Sequence, residues 1–329
     1  MLESTLVQIH PRASMRQPRV SVVIPTYNEA KNLPHVFGLL PDDLHEVIVV
    51  DGRSVDDTIE VARSLRPDVV IVRQNRIGKG NAMACGFAAV TGDIVVMLDA
   101  DGSADPGEIE RYVAALVDGA DFAKGTRFAP GGGSADITRV RAWGNRWLNR
   151  IAITLFGTRF TDLCYGYNAF WAHCLPALEL EASDQGSTEK LWGDGFEIET
   201  LINTRIAKAG LTITEVPSYE AERIHGQSNL NTWRDGFRVL RALLVERFNG
   251  KGHDVEIVRT EPRDVAPVVQ LPVRQQRGRI IRPLDVPAGT VLRETVFVDN
   301  VVADGYDPES YDPGPLARAL MDAAAAEAR

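Results

Sequence analysis

A chain of 329 residues is long enough for one large α/β domain or two smaller ones. Its composition, 44% apolar and 25% charged, excludes wholesale disorder, and a formal net charge of −9 spread along the chain gives no support for a nucleic-acid partner. Cys85, Cys164 and Cys174 are too few and too far apart for a disulfide framework or a zinc site. There is no apolar run of about 18 residues, and the first nineteen carry Pro and Arg without an apolar core. We therefore expect neither a membrane span nor a signal peptide, and a protein of the cytoplasm, free or at the cytoplasmic face of a membrane.

From Val20 short β-branched runs alternate with helical stretches. Strands are expected at 20–25, 46–51, 69–74 and 94–99, with helices over 29–40, 55–66 and 79–91 between them. This order implies parallel strands joined by right-handed crossovers, a doubly wound α/β sheet. The near-continuous apolar runs fit strands covered on both faces. The section 120–247 is less regular. It has a glycine-rich loop at 131–133, a Trp-bearing helix over 141–156, strand signals at 166–171 and 212–219, and helices over 195–210 and 231–247. Three regions result: an N-terminal extension, 1–19; a main domain, 20–250; and an appendage, 251–329, that turns acid-rich and is expected to be partly disordered.

Asp99-Ala100-Asp101 follows the apolar run 94–98 directly. Residues i and i+2 of an extended chain share a face, so both carboxylates can converge at the carboxyl end of a parallel strand, where open sheets bind ligands. Such hard oxygen donors suit Mg²⁺ or Mn²⁺ beside substrate phosphates. A solvated Asp-Gly-Ser turn is the plainer alternative. Asp51 lies at the end of the second strand, and Ser54 or Asp57 could cap the helix after it. Pro25-Thr26-Tyr27-Asn28-Glu29 follows the first strand, so three loops place polar residues on one rim. Gly78-Lys79-Gly80-Asn81 opens the third helix and favours an anion. It is not a P-loop, because Arg73 and Gly80 stand where that pattern needs Gly and Ser or Thr. No G-x-G-x-x-G follows the first strand.

Together, Val-Ile-Pro-Thr-Tyr-Asn-Glu, Val-Val-Asp-Gly-Arg-Ser-Val-Asp-Asp-Thr, Gly-Lys-Gly-Asn-Ala and Met-Leu-Asp-Ala-Asp-Gly resemble the family 2 glycosyltransferases of GT-A fold. The chain is most similar to their dolichyl- or polyprenyl-phosphate mannosyltransferase branch, through Lys124-Gly125-Thr126-Arg127, the segment 161–168 and the segment 223–230. The resemblance covers about residues 20–247. It implies a mostly parallel sheet with a less regular acceptor-side half, a nucleotide diphosphate sugar as donor, and a polyprenyl phosphate or glycan as acceptor. Pro25, Tyr27, Glu29 and Asp51 would hold the nucleoside. Asp99 and Asp101 would hold the metal against the diphosphate, and Arg127 and Arg223 would meet phosphates. Two departures stand out: Ser228-Asn229-Leu230 replaces the usual Ser-Lys-Leu, and Asp51-Gly52-Arg53-Ser54 replaces Asp-Asp-Gly-Ser.

A lipid phosphate acceptor is already ionised and needs no general base, whereas a sugar hydroxyl needs a carboxylate. Asp194, Glu197 and Glu199 are the candidates, though the two glutamates also suit a helix N-terminus. His225 is a candidate third metal ligand or an ordinary loop histidine. The helix over 141–156 combines tryptophans with arginines and fits either a membrane interface or a core-packed helix. Competing readings are a transferase acting on a glycan or small-molecule hydroxyl, a sugar-phosphate nucleotidyltransferase, and a non-catalytic nucleotide-sugar or glycan-binding module.

Overall fold

The computed structural model describes residues 17–158, 160–183, 190–226 and 232–248. The appendage 251–329, most of the extension 1–19 and the segment Ser228-Asn229-Leu230 lie outside the described residues. The first half runs β1 (Val20–Thr26), α1 (Leu33–Phe37), β2 (Glu46–Asp51), α2 (Thr58–Leu65), β3 (Val70–Arg73), α3 (Lys79–Ala88) and β4 (Ile94–Met97). The second half runs α4 (Ile109–Val117), β5 (Phe122–Thr126), β6 (Gly133–Ser134), α5 (Arg139–Phe156), β7 (Asn168–Trp171), α6 (Leu175–Leu178), α7 (Ile198–Lys208), β8 (Ile213–Pro217), β9 (Tyr219–Glu220) and α8 (Thr232–Phe248).

Seven strands form one sheet in the order β3-β2-β1-β4-β7-β5-β8, and β6 pairs with β9 apart from it. Within the large sheet β7 alone is antiparallel to its neighbours, β4 and β5. The remaining pairings are parallel, with Thr26 opposite Asp51 and Val20 opposite Ile94. The strand centres Val22, Val23, Ile24, Val47, Ile48, Val49, Ile94 and Val95 have no solvent contact. Each such side chain contributes about 1.5–3 kcal/mol relative to an exposed one. Helix α3 packs on β1 and β2, and α4 packs on β5 and β7.

The expected strands stand, but the second half contains elements beyond the sequence reading. Strand β5, Phe-Ala-Lys-Gly-Thr, has weak strand propensity and forms because β7 and β8 flank it on both sides. Helix α4 buries Ile109, Tyr112 and Leu116, an i, i+3, i+7 pattern. Helix α1 is five residues long, far shorter than 29–40, because the chain from Asn28 to Ala30 is held in the rim described below.

Helices α5 and α8 pack together through Leu148, Ala152, Val239 and Leu243. The expected stripe of α5 therefore splits: Leu148 and Ala152 face inward, while Trp143 is 67% exposed and Trp147 46%. Among the described residues no helix is long and apolar enough to cross a membrane.

Candidate active site

Parallel pairing brings the carboxyl ends of β1, β2 and β4 to one edge of the sheet. The loop after β1 is tied to the loop after β2. Asn28 turns the chain with φ of 58°, a left-handed conformation that asparagine tolerates. The Asn28 N–H donates to Ser54 Oγ at 3.0 Å, the Val55 N–H to Asn28 Oδ1 at 2.9 Å, and the Glu29 N–H to Thr58 Oγ1 at 2.9 Å. Asp57 stands at the N-cap position of α2 without a side-chain capping bond, and Asp56 Oδ1 accepts the Thr58 N–H at 3.2 Å. Asp51 is buried at the end of β2, and its Oδ1 accepts the Ser54 N–H at 3.1 Å.

Asp99 and Asp101 follow β4, and each faces a protein cation. Lys79 Nζ lies 2.7 Å from Asp99 Oδ1 and 2.7 Å from Glu199 Oε1. Burial opposes the Lys79 charge, but the two carboxylates outweigh it and hold the pKa well above the ordinary lysine value. Lys79 is placed by a close backbone approach. Gly80 donates its N–H to the Asp194 carbonyl at 2.9 Å, and a Cβ at position 80 would stand 1.7 Å from the Gly193 oxygen. This contact brings the start of α3 to the loop that leads into α7, whose first turn carries Glu199. Gly166 covers the cluster, since a Cβ there would lie 3.3–3.4 Å from Lys79 Nζ, Asp99 Oδ2 and Glu199 Oε1.

Asp101 accepts from Ser103 through Oδ1, at 3.0 Å from the N–H and 2.7 Å from the hydroxyl. Its Oδ2 lies 2.8 Å from Arg223, which reaches Glu29 at 3.7 Å on its other side. Burial raises the Glu29 pKa, against hydrogen bonding from Asn32 and the charge of Arg223. The segment 221–226 crosses this edge, its backbone joined to Ser103 and Asp101, and the His225 carbonyl accepts from Asn32 Nδ2 at 3.2 Å. A cleft of about 480 Å³ opens beside it, lined by Tyr27, Asn28, Glu29, Asp56, Arg223 and His225 among others.

Residues 21–174 match the Glycosyl transferase family 2 model. An undecaprenyl-phosphate mannosyltransferase from Micrococcus luteus is 35% identical over 225 residues, covering 65% of this chain and 88% of its own length. A polyprenol monophosphomannose synthase from Mycolicibacterium smegmatis is 34% identical, over 65% of this chain and 81% of its own. Glycosyltransferase AglJ from Haloferax volcanii is 33% identical, over 66% and 68%. The chain belongs to glycosyl transferase family 2. The fold agrees: glucosyl-3-phosphoglycerate synthase from Mycobacterium tuberculosis, solved with Mn²⁺ and uridine diphosphate, superposes with a TM-score of 0.54 at 24% identity, over 70% of this chain and 80% of that one. The protein is a glycosyltransferase of GT-A fold.

In this family 2 enzyme the rim brings together Glu29, Lys79, Asp99, Asp101 and Arg223, with Pro25, Tyr27 and Asp51 at the adjoining strand ends. Three of the expected residues have other partners in the structure. Asp194 is not placed as a base: its carboxylate is buried against Arg76 at 2.8 and 3.1 Å and also accepts the Leu191 N–H at 2.8 Å. Arg127 is held between two carboxylates. Asp162 grips it at 2.7 and 3.0 Å, Glu220 at 2.8 Å, and the Tyr165 ring lies beneath it at 4.8 Å. His225 does not complete a metal set with Asp99 and Asp101; its ring lies against His35, with centroids 5.8 Å apart. Among the described residues no three His, Cys, Asp or Glu side chains gather to hold a metal by themselves.

Glu197 sits at the start of α7, with Oε1 3.3 Å from the Gly195 N–H. Sequence reasoning missed the partners. Arg76 carried no motif signal, Asp162 lay in the segment 161–168 without an assigned role, and Glu199 was legible as an acid but not as the counter-charge of Lys79.

Proposed function

We propose that this glycosyltransferase moves a sugar from a nucleoside diphosphate donor to a polyprenyl phosphate, with Mg²⁺ or Mn²⁺ held by Asp99 and Asp101. The observation that carries the reading is the Asp99–Asp101 pair at the strand edge, matched by Lys79 and Arg223 and opening beside the 480 Å³ cleft. Two hard carboxylate donors on one turn fit a divalent ion whose other positions fall to diphosphate oxygens and water. When bound, that ion supplies charge neutralisation at the diphosphate as the bond to the sugar breaks.

The chain's own residues do the rest. Tyr27, Glu29 and Asp51 hold the nucleoside in the cleft. Arg223, whose planar fork matches phosphate, meets the diphosphate at the cleft mouth. An acceptor phosphate oxygen attacks the anomeric carbon and forms the new C–O bond. The old bond to the diphosphate breaks, and the nucleoside diphosphate departs with its electron pair. No proton changes hands. That balance suits a site where Asp194 is consumed by Arg76 and Glu199 by Lys79. The relatives named for undecaprenyl phosphate and polyprenol monophosphomannose support the same acceptor. A hydroxyl acceptor is the second reading, and Glu197, which meets no cation among the described residues, is the base it would use.

Delivery of such a lipid needs contact with a membrane. Helix α5 points Trp143, Trp147, Arg146 and Arg150 outward, and α8 beside it points Phe237 (70% exposed) and Phe248 (74%) outward. Aromatic and arginine side chains on a paired helical face suit an anionic bilayer interface. To test the reading, the protein is incubated with Mn²⁺ and a panel of nucleotide sugars, with and without polyprenyl phosphate, and nucleoside diphosphate release is followed. Release that requires both metal and lipid phosphate is expected. Release that ignores lipid phosphate and requires a soluble hydroxyl compound would favour the second reading.

A further inference from the structure

Each carboxylate of the Asp99–Asp101 pair is occupied by a protein cation, and each of those cations has a second carboxylate close by. Lys79 bridges Asp99 to Glu199. Arg223 bridges Asp101 to Glu29. The two arrangements come from different parts of the fold: Lys79 from the first residue of α3, Arg223 from the segment crossing the rim. Four carboxylates face two cations, leaving a formal excess of two negative charges.

We infer that Lys79 and Arg223 are exchangeable counter-ions of Asp99 and Asp101, and that this exchange adds to the dependence that a shared metal–diphosphate contact sets up between metal binding and nucleoside diphosphate binding. The inference rests on the donor and metal reading above and adds a coupling to it. A divalent ion arriving alone must displace an ammonium and a guanidinium from its own ligands. A diphosphate arriving alone meets an excess of carboxylate. Arriving together, the ion takes Asp99 and Asp101, and the diphosphate oxygens take the released guanidinium. The displaced cations are not stranded, because Glu199 already holds Lys79 and Glu29 lies within reach of Arg223. The two sides of the exchange differ in freedom. Lys79 is fixed at a helix start beneath Gly166, whereas Arg223 is carried on the segment 221–226 and is the more exposed of the two. Arg223 is therefore the mobile partner and the larger contributor to the coupling. By linkage, whatever factor the diphosphate adds to metal affinity, the metal adds to diphosphate affinity.

The test titrates Mn²⁺ into the full chain, reading free Mn²⁺ by its paramagnetic resonance signal, without nucleotide and with saturating GDP or UDP. In the wild type, nucleoside diphosphate is expected to tighten Mn²⁺ by about tenfold or more. Arg223→Gln should bind Mn²⁺ alone more tightly than the wild type, by about threefold or more, while the tightening by nucleotide falls by about the same factor. Arg223→Lys, which keeps the charge, should retain most of the coupling, and Lys79→Met should move in the same direction as Arg223→Gln by a smaller factor. An Arg223→Gln protein that binds Mn²⁺ alone no better than the wild type, with coupling intact, overturns the exchange. So does a wild type that binds Mn²⁺ and nucleotide tightly but independently, although the donor and metal reading then stands. A wild type that binds neither overturns both.

Discussion

At the residue scale, the same side-chain type does opposite work according to its partner. Asp101 and Asp194 are both aspartates near the rim. Asp101 shares its charge with a partly exposed arginine, whereas Asp194 is locked to an Arg76 that is itself buried. Asp101→Asn should therefore lower turnover by at least about a hundredfold with the unfolding midpoint little changed. Asp194→Asn should instead cost about 3–5 kcal/mol in urea unfolding, because it leaves a buried guanidinium unpaired. Activity measured below its melting temperature should survive better than in Asp101→Asn. The sequence could place Asp99, Asp101 and Glu29 because each follows a strand in an i, i+2 or loop pattern that geometry alone makes functional. It could not separate Asp194 from them, since the deciding partner lies 118 residues away.

Lys124 belongs to the same scale. It is buried in β5, donates to the carbonyls of Gly125 and Tyr165 at 2.9 Å each, and burial lowers its pKa from 10.5 to about 8, against the pull of Asp162 and Glu215. A depressed lysine pKa means the unfolded chain holds the proton more tightly than the folded one. Its contribution is thus most favourable above pH 10.5 and is lost as pH falls through about 8. Raising the pH from 7.5 to 9.5 should stabilise the wild type by about 2 kcal/mol relative to Lys124→Met in denaturant unfolding. An equal pH response in the two proteins would show that Lys124 does not titrate in this window.

At the scale of elements, the parallel half was readable because its strands are unbroken apolar runs separated by single helices. In the second half α5, β7, α7, β8 and α8 were readable too, but β5 was not, because it is held in the sheet by its neighbours and not by its own residues. Helix α5 shows the limit of a periodic pattern: its apolar positions span two faces, and only the presence of α8 decides which one is covered. Leu148→Ala, on the covered face, should cost about 2–4 kcal/mol. Replacing Trp143 and Trp147 together by Ser should leave stability within about 0.5 kcal/mol. The same double variant should lose most of its co-sedimentation with anionic phospholipid vesicles. Unchanged sedimentation would remove α5 from the membrane face.

At the scale of the molecule, a mostly parallel sheet gathers the ends of β1, β2 and β4 into one rim, while the 193–199 segment and the 221–226 segment close on that rim from the second half of the chain. Family membership and fold define a glycosyltransferase. The arrangement of carboxylates supports the acceptor we propose, because Asp194 and Glu199 are spent on Arg76 and Lys79. The most direct measurement is transfer of labelled sugar from its nucleotide donor into solvent-extractable polyprenyl phosphate by the wild type, Asp101→Asn and Glu197→Gln. The account predicts that Asp101→Asn abolishes the lipid product and that Glu197→Gln keeps it within about threefold, since no base is needed. Transfer confined to hydroxyl acceptors, and lost in Glu197→Gln, would contradict it.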